Sequence, residues 1–92
     1  MHEHSLLRGL LRQIATIARE NGAQRVSVVR LKLGQLAHIE PDHLHEHFTA
    51  AARGTVAAGA RLEIEVTDAL HELSLESIDV EAATGPRPAG RR

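Results

Sequence analysis

The sequence predicts a small α+β domain, a three-stranded sheet with two helices packed on one face. Three observations lead there. Two stretches carry apolar residues at helical spacing, and three carry them with strand-like alternation. Their order, helix–strand–helix–strand–strand, allows one layer of helices over one layer of sheet. A chain of 92 residues has room for one domain and not two.

Ser5 to Glu20 reads as an amphipathic helix. Leu7, Leu11, Ile14 and Ala18 fall on one helical face, and Leu6, Leu10 and Ile17 widen the stripe. Asn21-Gly22 is the stop, with glycine able to take the left-handed conformation after the last turn. Gly9 sits inside this helix at a cost of up to about 1 kcal/mol against alanine, which suggests a close backbone approach to a neighbour.

Arg25 to Leu33 reads as a strand closed by Gly34. Val29, Leu31 and Leu33 alternate with Arg30 and Lys32, while Val26 and Val28 are out of phase. Either both faces are partly buried or the strand carries a bulge. Pro41 to Arg53 reads as a second helix, with Pro41 at its first position, Glu40 near the cap, and Leu44, Phe48 and Ala51 as the apolar stripe. Gly54 closes it.

Arg61 to Thr67 alternates cleanly, with Leu62, Ile64 and Val66 on one face and Glu63 and Glu65 on the other. His71 to Ala82 is the last strand. Leu73 and Leu75 share one parity and Ile78 and Val80 the other, and a bulge near Glu76-Ser77 reconciles them. The short link around Asp68-Ala69 predicts a hairpin between these two strands. Residues 1–83 form the expected domain. Residues 84–92, with Pro86, Pro88, Gly85 and Gly90, read as a flexible basic tail.

Composition narrows the function. There is no cysteine, hence no disulfide, thiolate metal site or cysteine nucleophile. No apolar run approaches a signal or membrane segment, so the cytoplasm is the expected compartment. All twelve acidic residues lie in the body, against eight basic ones once Arg87, Arg91 and Arg92 of the tail are set aside. A body at −4 with Phe48 as its one aromatic argues against nucleic-acid binding. Glu63, Glu65, Glu72 and Glu76 read as solvent-facing strand residues and not as a catalytic pair. Ser5 and Ser27 lack an activating signature, and there is no phosphate-cradling glycine loop. An enzyme is not expected.

Histidine is the exception, with seven in the chain. His2 keeps Met1 in place, since a bulky second residue blocks removal of the initiator. The Met1 amine, the backbone nitrogens of His2 and Glu3, and the His2 imidazole then lie within reach of one ion. Four such nitrogens favour the square-planar geometry that suits Ni(II) or Cu(II), and disfavour tetrahedral Zn(II). His43 and His47, four apart in the second helix, share a face and can chelate a metal weakly. The plainer reading of that cluster, with His45 pointing away, is a solvated face flanking Leu44 and Phe48. His38 and His71 stand alone.

Met1-His2-Glu3 followed by Ser5-Leu6 resembles the opening of the HypA/HybF family, nickel-insertion accessory proteins of nickel–iron hydrogenase and sometimes urease maturation. The likeness runs through the body in order. It includes Gly22-Ala23-Gln24-Arg25-Val26, the stretch Val29 to Leu36, Ile39-Glu40-Pro41-Asp42, the segment Gly54-Thr55-Val56-Ala57-Ala58-Gly59-Ala60, and Glu72 to Glu81. The resemblance implies a nickel metallochaperone that holds Ni(II) at Met1, His2 and Glu3. Glu40 stands at the place of an associated carboxylate, and His4, where the family has a different residue, is a possible extra ligand. It implies transfer to a HypB-like GTPase or a hydrogenase large subunit.

One departure is large. The family carries a zinc domain with two CxxC pairs between its last two strands, and here Val66 to His71 stands in its place. The expectation is a shortened member without zinc and without the usual dimerising element, hence a monomer. The alternative is a metal-independent interaction module on the same scaffold. A general histidine-rich metal buffer is a third reading, and it predicts several weak sites instead of one.

Overall fold

The computed structural model describes residues 3–68 and 73–82. Helix α1 spans Glu3–Glu20, strand β1 Ala23–Gly34, helix α2 Pro41–Ala52, strand β2 Arg61–Thr67 and strand β3 Leu73–Ala82. A single 3-10 turn, Gln35–Ala37, links β1 to the approach of α2. The predicted architecture is borne out: two helices and a three-stranded sheet of mixed direction.

α1 buries Leu7, Leu10, Ile14 and Ala18, leaving Leu11 only partly covered. It stops where Gly22 adopts φ 65° and its N–H bonds the Arg19 carbonyl at 3.1 Å. Asn21 folds back, donating from Nδ2 to the Ile17 carbonyl at 2.8 Å. Gly9 does not mark a close approach. Among the described residues, a Cβ built there would meet no atom within 4 Å beyond its own helix backbone, so they show no close approach to compensate a glycine inside the helix.

β1 is the central strand. It pairs with β2 in parallel and with β3 antiparallel, giving the order β2-β1-β3. The expected β2–β3 hairpin is therefore wrong. Thr67 ends opposite Gly34 on one side of β1, and Leu73 begins opposite Leu33 on the other. The two ends therefore lie on opposite sides of β1, roughly two strand spacings of about 4.8 Å each apart. A short link does not imply a turn when a third strand already occupies the space between its ends.

Both expected bulges are present. Between Val26 and Val28 the register against β3 slips by one, so Ser27 is the extra residue and Val26 joins Val29 in the core. Between Arg30 and Leu31 it slips again, with Glu76 the extra residue of β3. This brings Leu73, Leu75 and Ile78 onto the same buried side despite their opposite parity. Val66, at the far end of β2, is left half exposed.

α2 contributes Leu44, Phe48 and Ala52 to the core, an i, i+4, i+8 ladder; Ala51, expected in the stripe, is only half-buried. Its residues, those of α1, and Val29, Leu31, Leu33 and Leu62 of the sheet form one cluster. The segment after α2 is built by hydrogen bonds. Gly54 takes φ 78° and Gly59 φ 77°. The Thr55 hydroxyl donates to the Ala52 carbonyl at 2.7 Å and accepts from the Ala57 N–H at 3.1 Å. Val26 N–H then bonds the Val56 carbonyl at 2.9 Å, fixing the segment to the start of β1.

Candidate functional site

The primary candidates sit where the chain enters the fold. Met1 and His2 lie outside the described residues, as do the side chains of Glu3 and His4. What the structure does describe is the start of α1 at Glu3, two residues earlier than the apolar pattern suggested. The first N–H groups of a helix have no acceptor within it. The Glu3 backbone nitrogen therefore has no helical hydrogen bond to lose on binding a metal.

A second candidate, Glu40, stands where the chain enters α2. α1 has 18 residues and so a length of about 27 Å. After the Asn21-Gly22 turn, β1 doubles back along it, so the start of α1 lies level with the second half of β1. That half leads through the 3-10 turn to Glu40. Glu40 is the N-terminal flank of α2, and its carbonyl accepts from the Leu44 N–H at 2.9 Å. Its side chain is exposed and makes no capping bond to the helix, which leaves the carboxylate open to another role.

Between these elements, His38 holds φ 59° and ψ 35°, in the left-handed region that glycine favours. Its position is a backbone turn ending the 3-10 segment, and its ring is exposed. The sequence carried no signal for it beyond a lone histidine. His71 lies outside the described residues.

On α2, His43 and His47 are brought together as the spacing required. Their ring centroids are 4.9 Å apart with 30° between planes, and both are exposed. His45, Asp42 and Glu46 are exposed on the same helix. Among the described residues, no group of three or more His, Asp or Glu side chains forms a metal cluster.

The sheet face away from the helices carries a paired charge cluster centred on Arg30. Arg30, in the middle of β1, reaches Glu63 of β2 at 3.1 Å and Asp79 of β3 at 3.0 Å. Hydrogen bonds from Arg61 and Arg30, with their positive charge, hold the Glu63 carboxyl below its ordinary range. The Arg30 hydrogen bond does the same for Asp79. Glu63, read from sequence as solvent-facing, is thus one arm of a cross-strand clamp centred on Arg30. No helix among the described residues is long and apolar enough to cross a membrane.

Comparison with known proteins points one way. Residues 1–78 match the family described as HypA, hydrogenase/urease nickel incorporation, metallochaperone. The hydrogenase maturation factor HypA of Rhizobium leguminosarum bv. viciae is 47% identical over 64 residues, covering 70% of this chain and 57% of that protein. That of Methylocella silvestris is 42% identical over 66 residues, covering 72% of this chain and 58% of the relative. The chain thus matches somewhat under three fifths of the length of these curated relatives. The solution structure of the Ni metallochaperone HypA from Helicobacter pylori superposes with a TM-score of 0.75. That match covers 89% of this chain and 99% of the other at 18% identity, a likeness of fold.

Proposed function

Because the chain belongs to the HypA family of hydrogenase and urease nickel-incorporation metallochaperones, a family of maturation factors and not of catalysts, we propose that it binds one Ni(II) at its N-terminus and delivers it to a protein partner. The ligands are the Met1 amine, the backbone nitrogens of His2 and Glu3, and the His2 imidazole. The observation that carries this reading is the start of α1 at Glu3, with His2 immediately before it. The Glu3 nitrogen is then unengaged by the helix.

The charge balance also favours the site. Two ionised amides cancel the two positive charges of Ni(II), while amine and imidazole bind neutral. The complex is uncharged and so does not oppose the positive end of the α1 dipole. Square-planar ligation leaves axial positions open. Glu40 is the carboxylate to occupy one of them, and His4 is a further extra ligand. Transfer is ligand exchange: an incoming donor from a HypB-like GTPase or a hydrogenase large subunit enters an axial position, and the planar nitrogens leave as they take up protons. With no cysteine in the chain, zinc has no role in this scheme, and the working form is a cytoplasmic monomer.

The second reading, a metal-independent interaction module, draws on Leu36 and Val66. Both are at least half exposed near the end of β1 and offer apolar surface to a partner. A calorimetric Ni(II) titration of tag-free protein separates the two. One tight ion per chain, lost on N-terminal extension, supports the metallochaperone. No tight nickel in the unextended protein leaves the interaction module.

A further inference from the structure

His43 and His47 have the spacing of a chelate before any ion is present. A metal-bound imidazole nitrogen lies about 2.0–2.1 Å from the ion, which puts the ring centre about 3.2 Å away. Two ring centres at that radius and 4.9 Å apart subtend about 100° at a shared ion. This lies between the right angle of planar or octahedral sites and the tetrahedral angle. The separation follows from the helix, since residues four apart on one face have Cβ atoms about 5–6 Å apart. Leu44 and Phe48, fully buried beside them, anchor that stretch of α2 in the core, so its backbone is held before binding.

The surroundings suit a cation. Asp42 and Glu46 are exposed within the same two turns and add negative charge nearby. His45, two residues from each, is about 200° around the helix from His43 and cannot join the pair.

We propose that His43 and His47 form a second, exchangeable metal site, a cis bis-imidazole chelate on the solvent side of α2. Its ligand class is a borderline divalent transition-metal ion: Ni(II), Cu(II) or Zn(II). The protein supplies two ligands, and water fills the remaining positions. The site is weaker than a complete protein cage and open to a ligand from another molecule. It uses no residue of the N-terminal site and is independent of it.

The test removes the N-terminal site first. Protein extended by Gly-Ser and carrying His2→Ala is titrated with Zn(II) and separately with Ni(II) by calorimetry, with histidine ring signals followed by NMR. One ion per chain is expected, with His43 and His47 ring signals moving together. Loss of a residue that only hydrogen-bonds a metal-bound side chain costs about 10–100-fold at known metal sites, so loss of a ligand should cost at least about tenfold. His43→Ala and His47→Ala should each weaken binding by that much, and His45→Ala by less than about twofold. These residues are exposed and alanine favours helix, so the circular dichroism of each variant should match the parent. The proposal is overturned if the His43→Ala/His47→Ala double variant binds as tightly as its parent. It is equally overturned if His45→Ala weakens binding as much as His43→Ala, the signature of a diffuse histidine buffer.

Discussion

Arg30 and Asp79 meet across β1 and β3 in a two-pronged pair: Nη1 donates to Oδ1 at 3.0 Å and Nη2 to Oδ2 at 3.2 Å. The same guanidinium donates through Nε to Glu63 Oε1 of β2 at 3.1 Å. One side chain on the central strand therefore ties both edge strands, on the face the helices do not cover. Both strand pairings join residues far apart in sequence, and this clamp supplements them with charge.

The clamp should make stability acid-sensitive. Asp79 and Glu63 both titrate below their ordinary values in the folded protein. A lowered folded-state value means a contribution present above the unfolded carboxylate range, about pH 4. It is lost as pH falls through the folded-state values below that range. Urea midpoints measured from pH 6 down to pH 2 should fall through this window. Arg30→Met should flatten that part of the fall, and added salt should weaken the clamp because the groups are partly exposed. An Arg30→Met profile parallel to the parent's would show that the clamp does not set the acid limb.

Gly9→Ala should stabilise the protein. The position is inside α1, and among the described residues no atom beyond its own helix backbone lies within 4 Å of an added Cβ. The gain should be up to about 1 kcal/mol, from helix propensity and a less flexible unfolded chain. Thermal unfolding should move up by several degrees. A lowered midpoint would mean that the position meets something in solution that this fold does not contain.

Thr55→Val should cost about 1 kcal/mol. It keeps the side-chain volume but removes the hydroxyl that bonds both the Ala52 carbonyl and the Ala57 N–H. The segment it organises carries the Val56 carbonyl to Val26, so amide exchange at Val26 should quicken along with the loss of stability. An unchanged denaturation midpoint would assign the Gly54–Ala60 segment's order to Gly54 and Gly59 alone.

Much of this fold is legible in local pattern. The two parity conflicts, one in β1 and one in β3, pointed to bulges, for β1 as one of two readings, and the structure has them at Ser27 and Glu76. The order of strands is not local. Nothing in Val66 to Leu73 says that β1 lies between β2 and β3, since that depends on which edge of β1 each strand finds. His38 shows the same limit, as a lone histidine in the sequence does not announce the left-handed backbone it takes after the 3-10 turn. For the candidate site, the His43–His47 pairing follows from helical spacing alone. Glu40 was singled out by the family resemblance and not by a local pattern, and the structure adds that its side chain is exposed and makes no capping bond to α2.

Zinc should be absent from the working protein. With no cysteine in the chain, a structural thiolate site is impossible, and the core cluster of helix and sheet residues is what holds the fold. Strong chelator should leave the thermal midpoint unchanged. One zinc per chain surviving chelator dialysis would contradict this, because the His43–His47 chelate, with two protein ligands, is too weak to keep it.

The N-terminal nickel site gives the sharpest prediction, because two unrelated changes must abolish it. Extension by Gly-Ser turns the Met1 amine into an amide and moves the charged terminus away. His2→Ala leaves the amine and removes the imidazole. Each should eliminate the tight site and the yellow, diamagnetic absorption of planar Ni(II). Neither should disturb the fold, since both changes precede the first apolar turn of the sequence at Leu6-Leu7. Glu40→Gln should leave the planar absorption in place, because an axial oxygen is not part of the nitrogen plane, and should change the rate of metal release to a competing chelator. Acid should release the ion as the binding nitrogens take up protons, the imidazole having an ordinary value near about 6.5. His43→Ala/His47→Ala should not touch the planar absorption. If the extended protein binds as tightly as the native one while this double variant does not, nickel resides on α2, and the N-terminal delivery mechanism is lost.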